Sequence, residues 1–150
     1  MISQVEGLAE AVGIPYVLKT IQLRTPWRWL PGHLCFGILH RLTPDSDTIA
    51  PPWPDLLITC GRRTTAMSIA VRKLSQGKTF TVHTQNPQTP LSYFDLVAPP
   101  KHDGLTGPNV VSTRGAIHRI TPQKLSEQAE KFAPAFAHLP RPLVAVLIGG

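Results

Sequence analysis

A disulfide scaffold is the first architecture this sequence excludes. It holds two cysteines without CxxC spacing, fewer than a small domain stapled by bridges needs. Cys35 falls in a helical pattern and Cys60 ends an apolar run. Both therefore read as buried thiols suited to a reducing compartment. No apolar run reaches the ~18 residues of a membrane span. Met1 leads straight into ISQVEGLAEAVG, which reads as an amphipathic helix rather than a signal peptide. Glu6, Glu10 and the lack of arginine there argue against a mitochondrial presequence. Charge is sparse at 16%, and acids are the scarcer sign: 9 Asp and Glu against 15 Lys and Arg, a net +6. That balance favours anionic partners, yet no block of basic residues forms a nucleic-acid arm. GxGxxG, GxSxG and HExxH are all missing, which removes a dinucleotide fingerprint, a nucleophile elbow and a zinc-protease helix. There is no internal repeat and no low-complexity tract.

What is present suits a globular α/β domain. The 150 residues are 42% hydrophobic, and 16 prolines punctuate the apolar runs. Val5, Leu8, Ala9 and Val12 share one helix face, ended by Gly13 and Pro15. YVLKTIQL (16–23) reads as a strand. A second helix is expected from Pro31, with Leu34, Cys35, Ile38, Leu39 and Leu42 as its buried stripe. DLLITC (55–60) is a continuous apolar run, as in a strand covered on both faces. Met67, Ala70, Val71 and Leu74 mark a third helix. Strands follow at 78–84 and 94–100, with a further candidate at 109–113. Thr121 can cap a helix that has Pro122 at its first position. Leu125, Ala129, Phe132 and Ala133 would line its inner face, and Pro134 would break it. LVAVLIGG (143–150) reads as a last strand. This alternation predicts a parallel sheet flanked by helices.

Chemistry concentrates where strands end. In Gly61-Arg62-Arg63-Thr64 a glycine and two arginines stand where a helix begins. Open helix N–H groups, a capping Thr64 or Thr65 and two guanidinium groups would suit phosphate or carboxylate. Solvated arginines at a plain corner are the alternative. His102 and Asp103 sit together after a short strand, where a histidine beside a carboxylate can act as a base. His83, Gln85 and Asn86 fall at another strand end, although Asn86-Pro87 can simply open a turn. Arg114, His118 and Arg119 could border a phosphate pocket or form an ordinary connector. Trp27-Arg28-Trp29 suits a membrane interface, or covers the core. QGKTF (76–80) lacks the upstream glycine of a phosphate loop and reads as a turn. No metal site is expected.

Several of these segments, in this order, resemble the mitochondrial-fission "elongated mitochondria" family of plants and its bacterial relatives, some labelled nucleoside-diphosphate-sugar epimerases. They are PPWPDLLITCGRRT (51–64), TFTVHTQNP (79–87), FDLVAPPKHD (94–103), GPNV (107–110), TRGAIHRITP (113–122) and VAVLIGG (144–150). The resemblance implies a Rossmann-like parallel sheet, the N-terminal half of a GT-B-like glycosyltransferase build. Residues 1–140 would be the acceptor-side domain, lacking its first strand, and 141–150 a linker and the first strand of a second domain. The family opens on a strand and a glycine-containing loop ending in glutamine, and only Gln4 matches that loop. Asn86 stands where the family pattern has an aspartate.

Function follows as expectation. A glycosyltransferase-like protein would use His102 as base and Asp103 to orient it. Gly61, Arg62, Arg63, Thr64, His83, Gln85, Asn109 and Arg114 would bind an anionic small-molecule ligand. No cofactor is expected within the chain, and a nucleotide-sugar would be held by the second domain. The alternative is a non-catalytic adaptor at an anionic membrane surface, touching it through Trp27, Arg28 and Trp29, with no nucleic-acid partner. The implied location is the cytoplasm for a bacterial homologue, or the cytosolic face of mitochondria for a plant one. Alone, the 150 residues are expected to aggregate and to be inactive, since a central strand would be missing.

Overall fold

The computed structural model describes residues 2–146. It divides into two compact units, Met1–Arg119 and Ile120–Gly150. The boundary expected at 140/141 thus falls inside the second unit.

The first unit is built on a three-stranded parallel sheet in the order β1 (Leu56–Cys60), β2 (Phe80–Thr84), β3 (Leu96–Ala98). The register aligns Cys60 with Thr84 and Thr84 with Ala98. All three strands therefore end on one edge. Candidate strand 109–113 adds beside β3 as two isolated parallel bridges, Val97 to Val110 and Pro100 to Thr113. It does not become a continuous strand, because Pro99 and Pro100 have no N–H for a ladder. Among the described residues nothing pairs with the outer edge of β1.

The central strand is unusual in what it buries. Thr81, His83 and Thr84 are all closed from solvent alongside Val82. Each polar group needs a partner there. The Thr84 hydroxyl donates to the Thr59 carbonyl at 3.3 Å, and His83 Nδ1 lies 2.9 Å from Thr59 Oγ1. Thr81 is held by Asp95, whose Oδ2 accepts from the Thr81 amide at 2.8 Å and hydroxyl at 2.9 Å.

Helix α1 (Ile2–Val12) and helix α2 (Thr65–Leu74) take opposite faces of the sheet. Leu57 packs among α2 side chains, whereas Cys60, of opposite parity, reaches Gln4 on α1. Helix α2 forms because Met67, Ala70 and Val71 recur on one face without an interrupting glycine or proline. It stops at Gln76 and Gly77, both at positive φ, where the Gly77 amide returns to the Arg72 carbonyl at 2.9 Å. The QGK of QGKTF is thus part of a turn, and its Phe80 already opens β2.

The main core lies between α2 and residues 21–53. Leu23, Cys35, Ile38, Ala66, Met67 and Val71 form it, with Trp27, Leu42, Trp53 and Leu57 packed around them. Each large side chain buried here contributes about 1.5–3 kcal/mol. Two expectations fail in this layer. Residues 16–23 are not a strand. They run extended along a turn, with Thr20 exchanging bonds with Asp47, Gln22 with Thr43 and Ser46, and one bridge at Leu23 to Leu42. The helix expected from Pro31 is broken into short 3-10 turns, Gly32–Leu34 and Ile38–Arg41, because Gly37 adopts a left-handed φ of 61° between them. Its stripe survives in part: Cys35 and Ile38 are buried, whereas Leu34 is exposed.

The second unit holds α3 (Pro122–Phe136), whose Thr121 side chain caps the Lys124 amide at 3.2 Å. Pro134 does not break it, since in the last turn only one intrahelical bond is forgone. The face expected to be internal is exposed at Leu125 and Phe132. Residues 143–146 have no regular structure, and the rest of the predicted last strand lies outside the described residues.

Asp95 joins helix, central strand and third strand. Arg72 of α2 grips it through Nε at 3.1 Å and Nη2 at 2.8 Å. Burial pulls the Asp95 carboxyl up, but the Arg72 bond, the Thr81 amide and hydroxyl, and the guanidinium charge hold it below the usual carboxylate range. Asp95→Ala is expected to cost about 2–3 kcal/mol by losing these charge-assisted bonds. Arg72→Ala, with its side chain 38% exposed, is expected to cost about 1 kcal/mol. Urea unfolding checks both, and equal small losses would refute Asp95 as the junction.

Candidate functional site

Because the strands are parallel and in register, Gly61, Gln85 and Pro99 leave the sheet on the same edge. Ligands of open α/β sheets bind at that edge. A cleft of about 330 Å³ opens there, lined by Gln4, Gln85, Asn86, Gln88, Pro100, His102, Asp103 and Ala116. Half of these residues, Gln4, Gln85, Asn86 and Gln88, carry carboxamides. Gln4 Oε1 accepts from Gln85 Nε2 at 3.1 Å and from the Cys60 thiol at 3.3 Å, so α1 is tied to the ends of both β1 and β2. Gln85 itself sits at a φ of 85°, which turns the chain sharply out of β2.

His102 and Asp103 lie on a 3-10 turn, Lys101–Asp103, closed by Gly104 in the left-handed region. His102 Nε2 stands 3.5 Å from Asp103 Oδ1. The imidazole side chain is 75% exposed and the carboxylate 24%. An imidazole beside a carboxylate can take a proton from a hydroxyl while the carboxylate stabilises the resulting imidazolium.

The helix N-terminus differs from its expected form. Gly61, at a φ of 85°, turns into a 3-10 turn, Arg62–Thr64, that runs into α2. Thr64 and Thr65 do not cap it. Their hydroxyls donate backwards, Thr64 to the Cys60 and Gly61 carbonyls at 3.1 and 2.9 Å, and Thr65 to the Arg62 carbonyl at 2.7 Å. The first turn of α2 is also covered. A Cβ at Gly32 would stand 2.9 Å from the Ala66 amide and 2.1 Å from Thr65 Oγ1. The amides expected to be open to an anion are thus packed against Gly32. Arg62 and Arg63 are exposed in the turn that follows β1, outside the cleft lining and without an ion-pair partner among the described residues.

Other candidates are placed elsewhere. His83 is in the core against Phe94, ring centroids 5.2 Å apart, with Nε2 unpartnered among the described residues. It is not a cleft group, because the centre of β2 is covered on both sides. Asn109 spends its amide on the Leu91 and Phe94 carbonyls at 2.9 and 2.8 Å. Arg119 pairs with Glu6 at 2.8 Å and with Glu10, which makes it a clamp on α1 rather than a phosphate ligand. Arg114 is exposed and outside the cleft lining. Trp27 packs against the core beneath Arg41, 4.3 Å from its ring centroid, whereas Trp29 is exposed. Gln88 and Ala116 were not foreseen in the cleft, and no local pattern in the sequence marks them. No cluster of His, Cys, Asp or Glu able to hold a metal ion occurs among the described residues. No helix among them is long and apolar enough to cross a membrane.

Comparison with known proteins adds a family. The model of the family described as Mitochondrial fission ELM1 matches residues 1–150. The chain is 34% identical over 119 residues to the mitochondrial fission protein ELM1 of Arabidopsis thaliana. That match covers 64% of this chain and 28% of the relative, so the chain spans a minor part of the relative's length. No solved structure matches.

The buried imidazole gives this edge a pH dependence. Desolvation pushes His83 down to about 4, below the ~6.5 of an unfolded chain. Between those values the unfolded chain takes up a proton that the folded one refuses. Stability is therefore full above about pH 6.5 and falls as pH drops towards 4. Urea unfolding is expected to show a loss of about 2 kcal/mol between pH 6.5 and 5. His83→Gln, which keeps a polar atom against Thr59, should remove most of that slope. An unchanged slope would mean the imidazole is not the group responsible.

Proposed function

Because the chain belongs to the mitochondrial fission ELM1 family, we propose that it forms the acceptor side of a glycosyltransferase-like protein that handles a nucleotide-activated sugar. The observation that carries this reading is a cleft lined by His102 and Asp103 together with Gln4, Gln85 and Asn86. Carboxamides offer donors and acceptors together, which suits a hydroxyl-rich ligand. The cleft holds no lysine or arginine, so its deepest part favours neutral polar groups. Arg62 and Arg63, exposed where β1 ends, would meet the anionic part of a ligand.

The chemistry assigned is a proton transfer coupled to group transfer. His102 Nδ1 takes the proton of an acceptor hydroxyl, with Nε2–H towards Asp103 Oδ1, as the hydroxyl oxygen bonds to the anomeric carbon. The bond from that carbon to the leaving phosphate oxygen breaks, and a nucleoside diphosphate departs with the electron pair. Asp103 stabilises the imidazolium and holds its orientation; its 3.5 Å separation would shorten as the ring becomes charged. The donor would be held by a further domain, in keeping with the short share of the relative that this chain spans.

In the full-length protein, a panel of nucleoside-diphosphate sugars screened by thermal shift is expected to yield at least one that raises Tm and is hydrolysed or transferred. His102→Ala should lower turnover about 100-fold or more with donor affinity little changed, and Arg63→Ala should raise KM rather than lower kcat. Absence of any stabilising or consumed nucleotide sugar would sink the enzymatic reading. Full turnover by His102→Ala would remove His102 from it.

A further inference from the structure

Residues 24–41 carry a surface that the cleft does not use. From Ala11 to Pro44 the chain has no acidic residue, while Lys19, Arg24, Arg28 and Arg41 give it four fixed positive charges. The acids next in sequence are Glu10, paired with Arg119, and Asp45 and Asp47, the latter bonded to the Thr20 amide. Within this basic stretch, short 3-10 turns bring apolar tips outwards. Phe36 is 78% exposed and Trp29 63%, with Leu30 and Leu34 also exposed. The turns are held together, because the Cys35 thiol lies 3.7 Å from the Trp27 carbonyl and 3.5 Å from the Pro31 carbonyl. That pins the Phe36 end of the segment beside the Trp29 end. Arg28 lies 6.0 Å from the Trp29 ring centroid and Arg41 covers Trp27. Beneath them Cys35, Ile38 and Trp27 anchor the patch in the core. The apolar tips are thus held out by a rigid base.

Large aromatic and leucine side chains left in water are costly, and arginines between them would repel a second copy of the same face. An anionic bilayer satisfies both features: headgroups meet the guanidinium groups, and Trp29 and Phe36 enter the acyl boundary. We propose that residues 24–41 form a docking surface for an anionic membrane, with Trp29, Phe36, Leu30 and Leu34 inserted and Arg24, Arg28 and Arg41 on the headgroups.

Vesicle sedimentation of the chain tests this. Vesicles of phosphatidylcholine with about 30% phosphatidylserine should pellet it at about 0.1 M salt. Pellets should be much smaller at about 0.5 M salt, and smaller still with phosphatidylcholine alone. Arg28→Gln should weaken binding about fivefold, and Phe36→Ser about tenfold or more. Tm should hold for both, since each side chain is exposed. Brominated lipid should quench tryptophan emission in the wild type, and Trp29→Phe should abolish most of that quenching. Failure to pellet would overturn the proposal, as would binding indifferent to lipid charge, or to Trp29 and Phe36. A vesicle-independent dimer dissolved by Phe36→Ser would also overturn it, and would assign the patch to a second copy.

Discussion

A single carboxylate sets the geometry of this sheet. Asp95 accepts from the Thr81 amide and hydroxyl at the start of β2, and from two nitrogens of Arg72 on α2. Its own amide returns to Thr81. One residue thus fixes the level at which β3 begins, the level of β2 and the side on which α2 lies. Thr81 is completely buried, so its hydroxyl would otherwise be an unpaid polar group. The interaction acts on position as much as on energy: the neighbouring backbones have little freedom to slip while Thr81 and Asp95 are joined from both directions.

The level set there is read out at the other end of the strands. Three residues along the ladder from Thr81, Thr84 stands beside Cys60 and Ala98, and the segments that leave these positions share one edge. Gln4 spans two of them by accepting from both the Cys60 thiol and Gln85. The cleft is therefore a consequence of register. Its chemistry is set by what that edge displays. Gly32 packs against the first turn of α2, so the cleft is lined by side-chain amides and one imidazole rather than by helix N–H groups. Arg62 and Arg63 stand exposed in the turn after β1, outside that lining.

The sequence revealed the parts of this arrangement that depend on near neighbours. The β-branched runs at 55–60 and 78–84 and the Met67, Ala70, Val71 spacing encode their elements directly, and their alternation implies a parallel sheet. Residues 16–23 carry the same β-branched signal, yet no strand comes alongside them, and strand propensity without a partner yields only extended chain. The stripe after Pro31 also misled, because Gly37 leaves the helical region and the apolar residues reach the core through separate turns. For the site, proximity in sequence placed His102 and Asp103 correctly beside each other. Nothing local could tell that His83 and Asn109 point inward, since that depends on Phe94, Thr59 and the turn at 91–94 folding over them. Gln4 stood out only through its family resemblance. Its contact with Gln85 spans 81 residues, beyond any local pattern.

The basic patch reaches the start of α2 at Gly32. The Gly32 backbone lies against Thr65 and Ala66, directly after the Arg62–Thr64 turn, and the next residue, His33, bonds Thr89 at 2.6 Å and stacks on Tyr93. The patch at 24–41 is therefore braced against the same edge that carries the cleft. A chain resting on headgroups through Trp29 and Phe36 would hold Arg62 and Arg63 close to the bilayer plane. An acceptor presented at that surface would then reach His102 by moving along the membrane rather than through bulk water, which raises its effective concentration without any added contact. On this view one packed layer would do two things: Cys35, Ile38 and Trp27 complete the core beneath α2, and the turns that carry them would set how the chain rests on the bilayer.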